Sequence, residues 1–231
     1  PHNPALFPPP PPPGIAPTCA AGRVVGVPPG PLGVHQAPDA VTLITGTGGN
    51  DTISPDLVSG GVTGGTPGAG NETLDGLAGD DLLVGAGGRD ELLGGDDNDT
   101  LDGGSGADTL VGGAGADSLS GGGSADRMVG GTGNDSYIVN VATDIVVEAG
   151  GEGTDLVVSM VDITALMDHV ENLTLMQGSG ADHGVGNSLD NLITGNDAND
   201  TLEGLGGADT LAGGGGADSL VGGAGADSMA G

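Results

Sequence analysis

The chain has 231 residues, of which 52 are glycine and 15 are proline, while tryptophan is absent and Phe7 and Tyr137 are the only aromatic residues. This composition cannot build the bulky core of a large α/β enzyme. Asp and Glu number 32 against three arginines, and the net charge of −29 disfavours binding to nucleic acid or to anionic membrane surfaces.

The N-terminal residues 1–39 are rich in proline and include an unbroken run from Pro8 to Pro13. Proline runs favour an extended polyproline II conformation, so we expect a disordered linker here. Residues 40–66 form an irregular lead-in with one isolated copy, at 46–54, of the repeat described next. Cys19 is the only cysteine, which excludes a disulfide framework.

From residue 67 to residue 138 the chain reads as eight lines of nine residues without an insertion, as in GGSGADTLV at 103–111. The sixth position is acidic in every line and the eighth is large and apolar or aromatic. A second array fills 186–231 and stops at the first residue of a further line. Because the chain starts at Pro1 rather than methionine, we expect a fragment of a longer protein or the product of processing. Residues 139–185 form a β-rich intervening segment. The sixth-position aspartates of the two arrays are Asp81, Asp90, Asp99, Asp108, Asp117, Asp126, Asp135, Asp200, Asp209, Asp218 and Asp227.

A period of nine with one apolar residue per line does not suit a helix, which needs three or four per two turns. It suits a short strand followed by a glycine-rich turn, and each line buries its apolar residue only by stacking on others. Two lines then make one flattened coil of 18 residues, with the leucines of opposite strands facing inward. Stacked coils bring like positions to ~4.8 Å from one another.

This stacking predicts the chemistry of the arrays. Carboxylates 18 residues apart, such as Asp99 and Asp117, become neighbours and repel by ~1 kcal/mol even in water. Low hydrophobicity and high charge are also typical of intrinsic disorder, but the strict period of the carboxylates favours a structure built around cations. Carboxylate and backbone carbonyl oxygens, without histidine or cysteine, form a site for a hard cation such as Ca²⁺.

The consensus G-G-x-G-x-D-x-U-x resembles the RTX, or haemolysin-type, calcium-binding repeat. The intervening segment also resembles one found in such proteins, in Tyr137-Ile-Val, Asp144-Ile-Val-Val-Glu148, Gly151-Glu-Gly-Thr-Asp155 and Val170-Glu-Asn-Leu-Thr-Leu175. The resemblance implies a right-handed parallel β-roll, a β-helix solenoid stacked on Ca²⁺ ions. It implies as ligands the sixth-position aspartates together with turn carbonyls such as those of Gly104, Gly106, Gly113, Gly115, Gly214 and Gly216.

Some lines depart from the consensus, so the sites they form are expected to be weaker. Glu72 replaces an aspartate, Asp51 belongs to the isolated copy, and Asn191 is a neutral ligand. Asp97 and Ser124 replace the fourth-position glycine, where a positive φ is expected. Asp–Asp pairs 18 residues apart predict about seven Ca²⁺ ions. The pairs are 81/99, 99/117, 117/135, 90/108, 108/126, 200/218 and 209/227.

Three functions agree with these observations. The resemblance implies a calcium-binding repeat region of a secreted or surface bacterial protein, exported by a one-step secretion apparatus and folding on Ca²⁺ outside the cell. The alternatives are the repeat region of a secreted protease, lipase or polysaccharide-modifying enzyme whose catalytic domain lies elsewhere, and an adhesin stalk. No catalytic motif occurs in the sequence, so we expect the chain itself not to be an enzyme. No apolar run approaches the ~20 residues of a membrane-spanning helix, and we expect a monomeric module without membrane insertion.

Overall fold

The computed structural model describes residues 42–54, 63–64 and 66–231, and all the regular secondary structure in these ranges is β-strand. The disorder expected for residues 1–39 lies outside them. No helix in the described ranges is long and apolar enough to cross a membrane. The strands are β1 Thr42–Thr45, β2 Thr52–Ile53, β3 Glu72–Ala78, β4 Leu82–Val84, β5 Glu91–Asp96, β6 Thr100–Asp102, β7 Thr109–Ala114, β8 Ser118–Ser120, β9 Arg127–Thr132, β10 Ser136–Val139, β11 Ile145–Val147, β12 Leu156–Ser159, β13 Asn172–Leu175, β14 His183–Val185, β15 Leu192–Thr194, β16 Thr201–Gly206, β17 Thr210–Ala212, β18 Ser219–Ala224 and β19 Ser228–Ala230.

These strands form three parallel sheets, which are the faces of a solenoid of about nine turns. One face is a single ten-stranded sheet in the order β2-β4-β6-β8-β10-β12-β13-β15-β17-β19. The second face consists of a six-stranded sheet, β1-β3-β5-β7-β9-β11, and a three-stranded sheet, β14-β16-β18. The all-β, parallel solenoid expected from the nonapeptide period is therefore confirmed.

The register between neighbouring strands confirms the 18-residue coil of the first array. Leu83 of β4 lies opposite Leu101 of β6, which lies opposite Leu119 of β8, and Tyr137 of β10 follows. Alternate residues of a strand point to opposite faces of its sheet, so each x-U-x strand turns its middle residue inward. The sequence period thus becomes a vertical stack of identical positions.

The core is a column of these inward residues from both faces. Leu74, Leu92, Leu110 and Met128 come from one face, and Leu83, Leu101, Leu119 and Tyr137 come from the other; all are fully or almost fully buried. Two later residues differ from this expectation, because Leu220 is half-buried and Met229 is 52% exposed. They belong to β18 and β19, the last strands of their sheets, which have a neighbouring strand on one side only.

The intervening segment joins the two arrays through the ten-stranded sheet. Tyr137, Val157, Leu173 and Ile193 lie in register on successive strands β10, β12, β13 and β15. The second face is interrupted instead: between β11 and β14 it contains only a single bridge from Ile163 to Gly184. One face of the solenoid is therefore continuous through both arrays, while the other is interrupted between them.

The turns adopt the left-handed backbone that the repeat requires. Gly104 has a φ of 92°, and the replacements at the fourth position conform, with φ of 78° at Asp97 and 101° at Ser124. Leu77, Ala86 and Leu205 occupy the second position with φ between 73° and 83°. These side chains show that the turn geometry comes from stacking, even where the residue is not glycine.

Candidate metal centre

A row of acidic or amide residues lies along one edge of the ten-stranded sheet. Each of its ten strands is immediately preceded by a residue of this row, because the strand begins one residue after the sixth position of the line. Since the strands are parallel and in register, all these side chains lie on the same edge. The row is Asp51, Asp81, Asp99, Asp117, Asp135, Asp155, Glu171, Asn191, Asp209 and Asp227.

Within a row, most carboxylates accept a hydrogen bond from the backbone of the preceding coil. The Asp99 N–H donates a hydrogen bond of 2.8 Å to Asp117 Oδ1, and the Asp117 N–H donates one of the same length to Asp135 Oδ1. The second face has an equivalent row, in which the Asp90 N–H donates to Asp108 Oδ1 at 2.8 Å. All seven Asp–Asp pairs expected from the 18-residue spacing are joined in this way, at 2.8–3.1 Å.

The other carboxylate oxygen of most of these aspartates has no partner. Asp117 is only 2% exposed, yet its Oδ2 makes no hydrogen bond. A buried acceptor without a partner costs ~1–3 kcal/mol, and a charged one costs more. Such an atom therefore marks a place that suits a cation. The buried and unpartnered atoms of this kind are Oδ2 of Asp81, Asp90, Asp99, Asp108, Asp117, Asp126, Asp135, Asp209 and Asp218, and Oδ1 of Asp200.

Apart from Asp200 Oδ1, each of these unpartnered oxygens lies in a small cradle next to a first-position glycine. A methyl group on Gly103 would lie 2.7 Å from both Asp108 Oδ2 and the carbonyl oxygen of Gly121, one coil further on. A methyl group on Gly112 would overlap Asp117 Oδ2 and lie 2.7 Å from the Gly130 carbonyl oxygen. A carboxylate oxygen and a carbonyl oxygen thus converge where only glycine leaves space.

The turn carbonyls named from the sequence lie in surroundings that differ from those of the cradle carbonyls. The carbonyl oxygen of Gly104 accepts the Gly123 N–H at 2.7 Å, and those of Gly113 and Gly115 lie against Gly131 and Gly133 of the next coil. Gly106, Gly214 and Gly216 have positive φ at the equivalent turn positions. The oxygens that share the cradle with Oδ2 therefore come from the first position of the line, such as Gly112, Gly121 and Gly130.

Burial raises the pKa of these carboxyl groups well above that of an exposed aspartate. Burial raises the pKa of Asp99 to about 7, the Asp81 N–H opposes the shift, and the charges of Asp117 and Asp81 add to it. The same effect of burial raises the pKa values of Asp90 and Asp126 to about 6. Without a cation, the rows therefore resist carrying the negative charge that their sequence supplies.

The second array contains a break in this pattern at Asn191. Its N–H donates to Asp209 Oδ1 at 2.8 Å, as an aspartate in this row would. Its side-chain amide, however, donates to the carbonyl oxygen of Glu171 at 3.0 Å, and its Oδ1 accepts the Asn187 N–H at 2.8 Å. The protein therefore satisfies this side chain itself, and the weaker ligand expected at Asn191 stays a prediction.

The first acids of the two rows also accept hydrogen bonds from their own turns. Asp51 Oδ2 accepts hydrogen bonds from the N–H and the hydroxyl of Thr47, at 2.5 and 2.8 Å. Glu72 Oε2 accepts the Gly68 N–H at 3.4 Å. These two acids, expected from the sequence to be weaker ligands, lie in their rows but also contact their own turns.

Sequence reasoning missed three acids of the intervening segment that continue the rows, Asp144, Asp155 and Glu171. Asp155 Oδ1 accepts the Asp135 N–H at 2.8 Å, and Asp144 Oδ1 accepts the Asp126 N–H at 3.1 Å. Each of these two aspartates precedes a buried valine by two residues, as in Asp155-Leu-Val157, which is the D-x-U core of the repeat. That triplet was the available signal, but the nine-residue period around it is lost.

The donor set of these cradles fits Ca²⁺. Carboxylate and backbone carbonyl oxygens are the ligands that Ca²⁺ takes in proteins, and the described cradles contain no sulfur or imidazole donor. The model of the RTX calcium-binding nonapeptide repeat matches four times, at residues 66–101, 102–137, 177–211 and 203–231. The chain belongs to the RTX calcium-binding repeat family. A comparison with curated proteins found no match.

Membership of the RTX family has three consequences for the chain. It indicates Ca²⁺ as the bound cation of these repeats. A repeat roll of this family suggests a non-catalytic module. RTX repeats are also typical of secreted bacterial proteins.

Proposed function

We propose that this RTX chain is a calcium-dependent folding module of a secreted or surface bacterial protein. It would be unfolded where calcium is scarce and folded outside the cell. The observation that supports this most directly is the row of buried aspartate oxygens without hydrogen-bond partners, at Asp81, Asp99, Asp117 and Asp135. Buried charge is unfavourable unless it is paired or binds a metal. Asp99, Asp117 and Asp135 each accept a backbone N–H at Oδ1 and have no partner at Oδ2, so a cation would compensate their charge.

The proposed calcium ligands are the unpartnered aspartate oxygens and the carbonyl oxygens that share their cradles, such as those of Gly112 and Gly130. The turn carbonyls predicted from the sequence, at Gly104, Gly106, Gly113, Gly115, Gly214 and Gly216, are proposed as further ligands. Each Asp–Asp pair would hold one ion, which gives about seven. The bound ions would supply positive charge that permits the carboxylates to remain ionised next to one another.

The charge of the chain supports one-way export. At −29 the calcium-free chain repels itself, and an unfolded chain suits passage through a narrow secretion apparatus. About seven Ca²⁺ would offset roughly half of that charge and allow the coils to stack. Folding outside the cell would then oppose the return of the chain through the secretion apparatus. We propose that the folded module is monomeric and carries no catalysis of its own.

The test is far-UV circular dichroism of the 231-residue chain, first in excess chelator and then with Ca²⁺ added. We expect an unfolded spectrum with chelator and a transition to β-sheet in the ~10⁻⁴–10⁻³ M range. Calorimetry should count about seven ions. Sodium chloride at matched ionic strength is the control, because it screens charge without entering the cradles. A full β spectrum in chelator, or one restored equally by sodium chloride, would contradict the proposal.

A further inference from the structure

A third carboxylate joins the row where the first array meets the intervening segment. Asp135 precedes β10, Glu148 follows β11 and Asp155 precedes β12. One carboxylate oxygen from each lies within 4.8 Å of the other two. The Tyr137 hydroxyl donates a hydrogen bond to Glu148 Oε1. We call this group of three acids the junction cluster.

The junction cluster differs from the array cradles in one ligand position. In the array, the cradle above Gly112 contains Asp117 Oδ2 and the carbonyl oxygen of Gly130. One coil later, a methyl group on Gly130 would overlap Asp135 Oδ2 and the Tyr137 hydroxyl, and would lie 2.6 Å from Glu148 Oε1. A charged side chain therefore occupies the place that a neutral backbone carbonyl takes in the array.

Two oxygens of the cluster are buried without a hydrogen-bond partner, Asp135 Oδ2 and Glu148 Oε2. Asp135 is 2% exposed and Asp155 is 1% exposed. Asp155 Oδ1 already accepts the Asp135 N–H at 2.8 Å, which fixes the two aspartates relative to each other. Three acids this close together, with a buried and unpartnered Asp135 Oδ2 directed into the cradle at Gly130, form a place that suits a cation.

We propose that Asp135, Glu148 and Asp155 hold a Ca²⁺ ion at the junction, in addition to the ions within the arrays. The inference rests on the proposed calcium-binding function of the rows. Three carboxylates attract a divalent cation more strongly than the two of an array site, and calcium affinity rises with the charge of the ligand set. The junction therefore fills before the array sites and fixes the end of the first array against the intervening segment.

Tyr137 acts as the positioning residue of this site. Its ring is fully buried in the core column, which fixes the hydroxyl in space. The hydrogen bond to Glu148 Oε1 orients that carboxylate and leaves Glu148 Oε2 free of hydrogen bonds within the cluster.

The chain offers its own reporter for this site, since Tyr137 is the only tyrosine and tryptophan is absent. Tb³⁺ replaces Ca²⁺ at oxygen sites and emits when a nearby tyrosine is excited. Because this energy transfer falls steeply with distance, the junction ion dominates the emission. In the parent chain we expect the signal to appear with the first added Tb³⁺ and to be displaced by Ca²⁺.

The test compares Glu148→Gln with Glu91→Gln, which removes the same charge from an exposed position of β5. We expect Glu148→Gln to shift the tyrosine-excited Tb³⁺ titration at least ~10-fold to higher concentration and to lower the calorimetric Ca²⁺ count by about one. Glu91→Gln should match the parent in both. If Glu148→Gln does not fold at saturating Ca²⁺, Glu148→Asp replaces it, because it keeps the charge and withdraws the carboxylate by one methylene.

A parent-like titration and ion count for a folded Glu148 variant would overturn the junction site and leave the array sites unaffected. A parent chain that binds no Ca²⁺ at all would instead overturn the proposed function. Tyr137→Phe keeps the ring and all three carboxylates, so competition with a chromophoric chelator should show the tightest ion bound ~10-fold more weakly at an unchanged count. An unchanged affinity would remove Tyr137 from the positioning role.

Discussion

Three consecutive glycines, Gly121, Gly122 and Gly123, permit a matched test of how the turns are built. Gly122 has a φ of 85°, and a methyl group there would overlap the carbonyl oxygen of Gly104 in the preceding coil. That carbonyl oxygen accepts the Gly123 N–H at 2.7 Å. Gly123 itself has no positive φ, and the atom nearest to its methyl group would be 3.9 Å away. Adjacent residues of one turn thus differ in both backbone conformation and available space.

The expected effects of alanine at the two positions have opposite signs. At Gly122, the left-handed backbone costs a residue with a Cβ ~1–2 kcal/mol, and displacing the Gly104 carbonyl weakens a hydrogen bond by ~0.5–1.5 kcal/mol. Gly122→Ala should therefore lower the free energy of unfolding by ~2–3 kcal/mol. Gly123→Ala should raise it by ~0.4–1 kcal/mol, because alanine restricts the unfolded chain without strain in the fold. Ala86 occupies the second position of another line at a φ of 76°, so we expect the Gly122 variant to fold.

The assay is urea unfolding at saturating Ca²⁺, followed by circular dichroism at one protein concentration. The expected order of midpoints is Gly123→Ala above the parent, and Gly122→Ala clearly below it. Saturating Ca²⁺ keeps the contribution of bound ions equal in all three chains. Equal losses for the two variants, or a larger loss at Gly123, would refute the turn geometry on which the coil is based.

Two further predictions concern the acids of the rows. In excess chelator, the pKa values of about 7 for Asp99 and about 6 for Asp90 and Asp126 lie above those of the unfolded chain. The stability that these groups contribute is then fully present below pH ~4 and is lost as the pH rises through 6–7. The β-sheet signal of the metal-free chain should therefore grow when the pH is lowered from 8. A signal that falls would contradict the buried environment of these carboxyl groups. Asp117→Asn and Asp135→Asn should each remove about two ions in calorimetric counts, because each residue has a partner in the coil before it and in the coil after it. The control is Asp102→Asn, at an exposed position of β6, which should remove none. A smaller loss at Asp135 than at Asp117 would exclude Asp155 as its partner.

The sequence predicts the coil because its period is strict where the fold is regular. Leu83, Leu101 and Leu119 recur every 18 residues, and the same spacing predicts which aspartates become neighbours. The prediction stops at residue 139, where the next coils have other lengths: Asp135 and Asp155 are 20 residues apart, and Asp155 and Glu171 are 16 apart. Counting by a fixed period makes Asp135 an end residue, whereas the structure gives it a partner on each side.

The place of Glu148 in the row lies beyond any local pattern. Its carboxylate reaches the row because the turn after β11 replaces the first-position glycine of a regular line with a residue that has a long side chain. The cradle carbonyls could not be identified from the sequence either. Which of the carbonyls in a glycine turn meets the aspartate depends on backbone torsions that glycine leaves open, and only stacking against the next coil decides them.

The two carboxylate oxygens of a row aspartate make different contacts, and this difference links calcium binding to the stacking of coils. Asp117 uses Oδ1 to accept the N–H of Asp99 and so attaches its coil to the preceding one, while its Oδ2 remains without a partner. Forming the first contact therefore buries the second oxygen, and each added coil brings one more buried charge next to the last. We expect stacking to be self-limiting without a cation and self-propagating with one, because each ion would remove the repulsion that the next coil meets. Asn191 is neutral, and both ends of its amide are satisfied by the protein, so its coil adds no buried charge to the row between the two arrays.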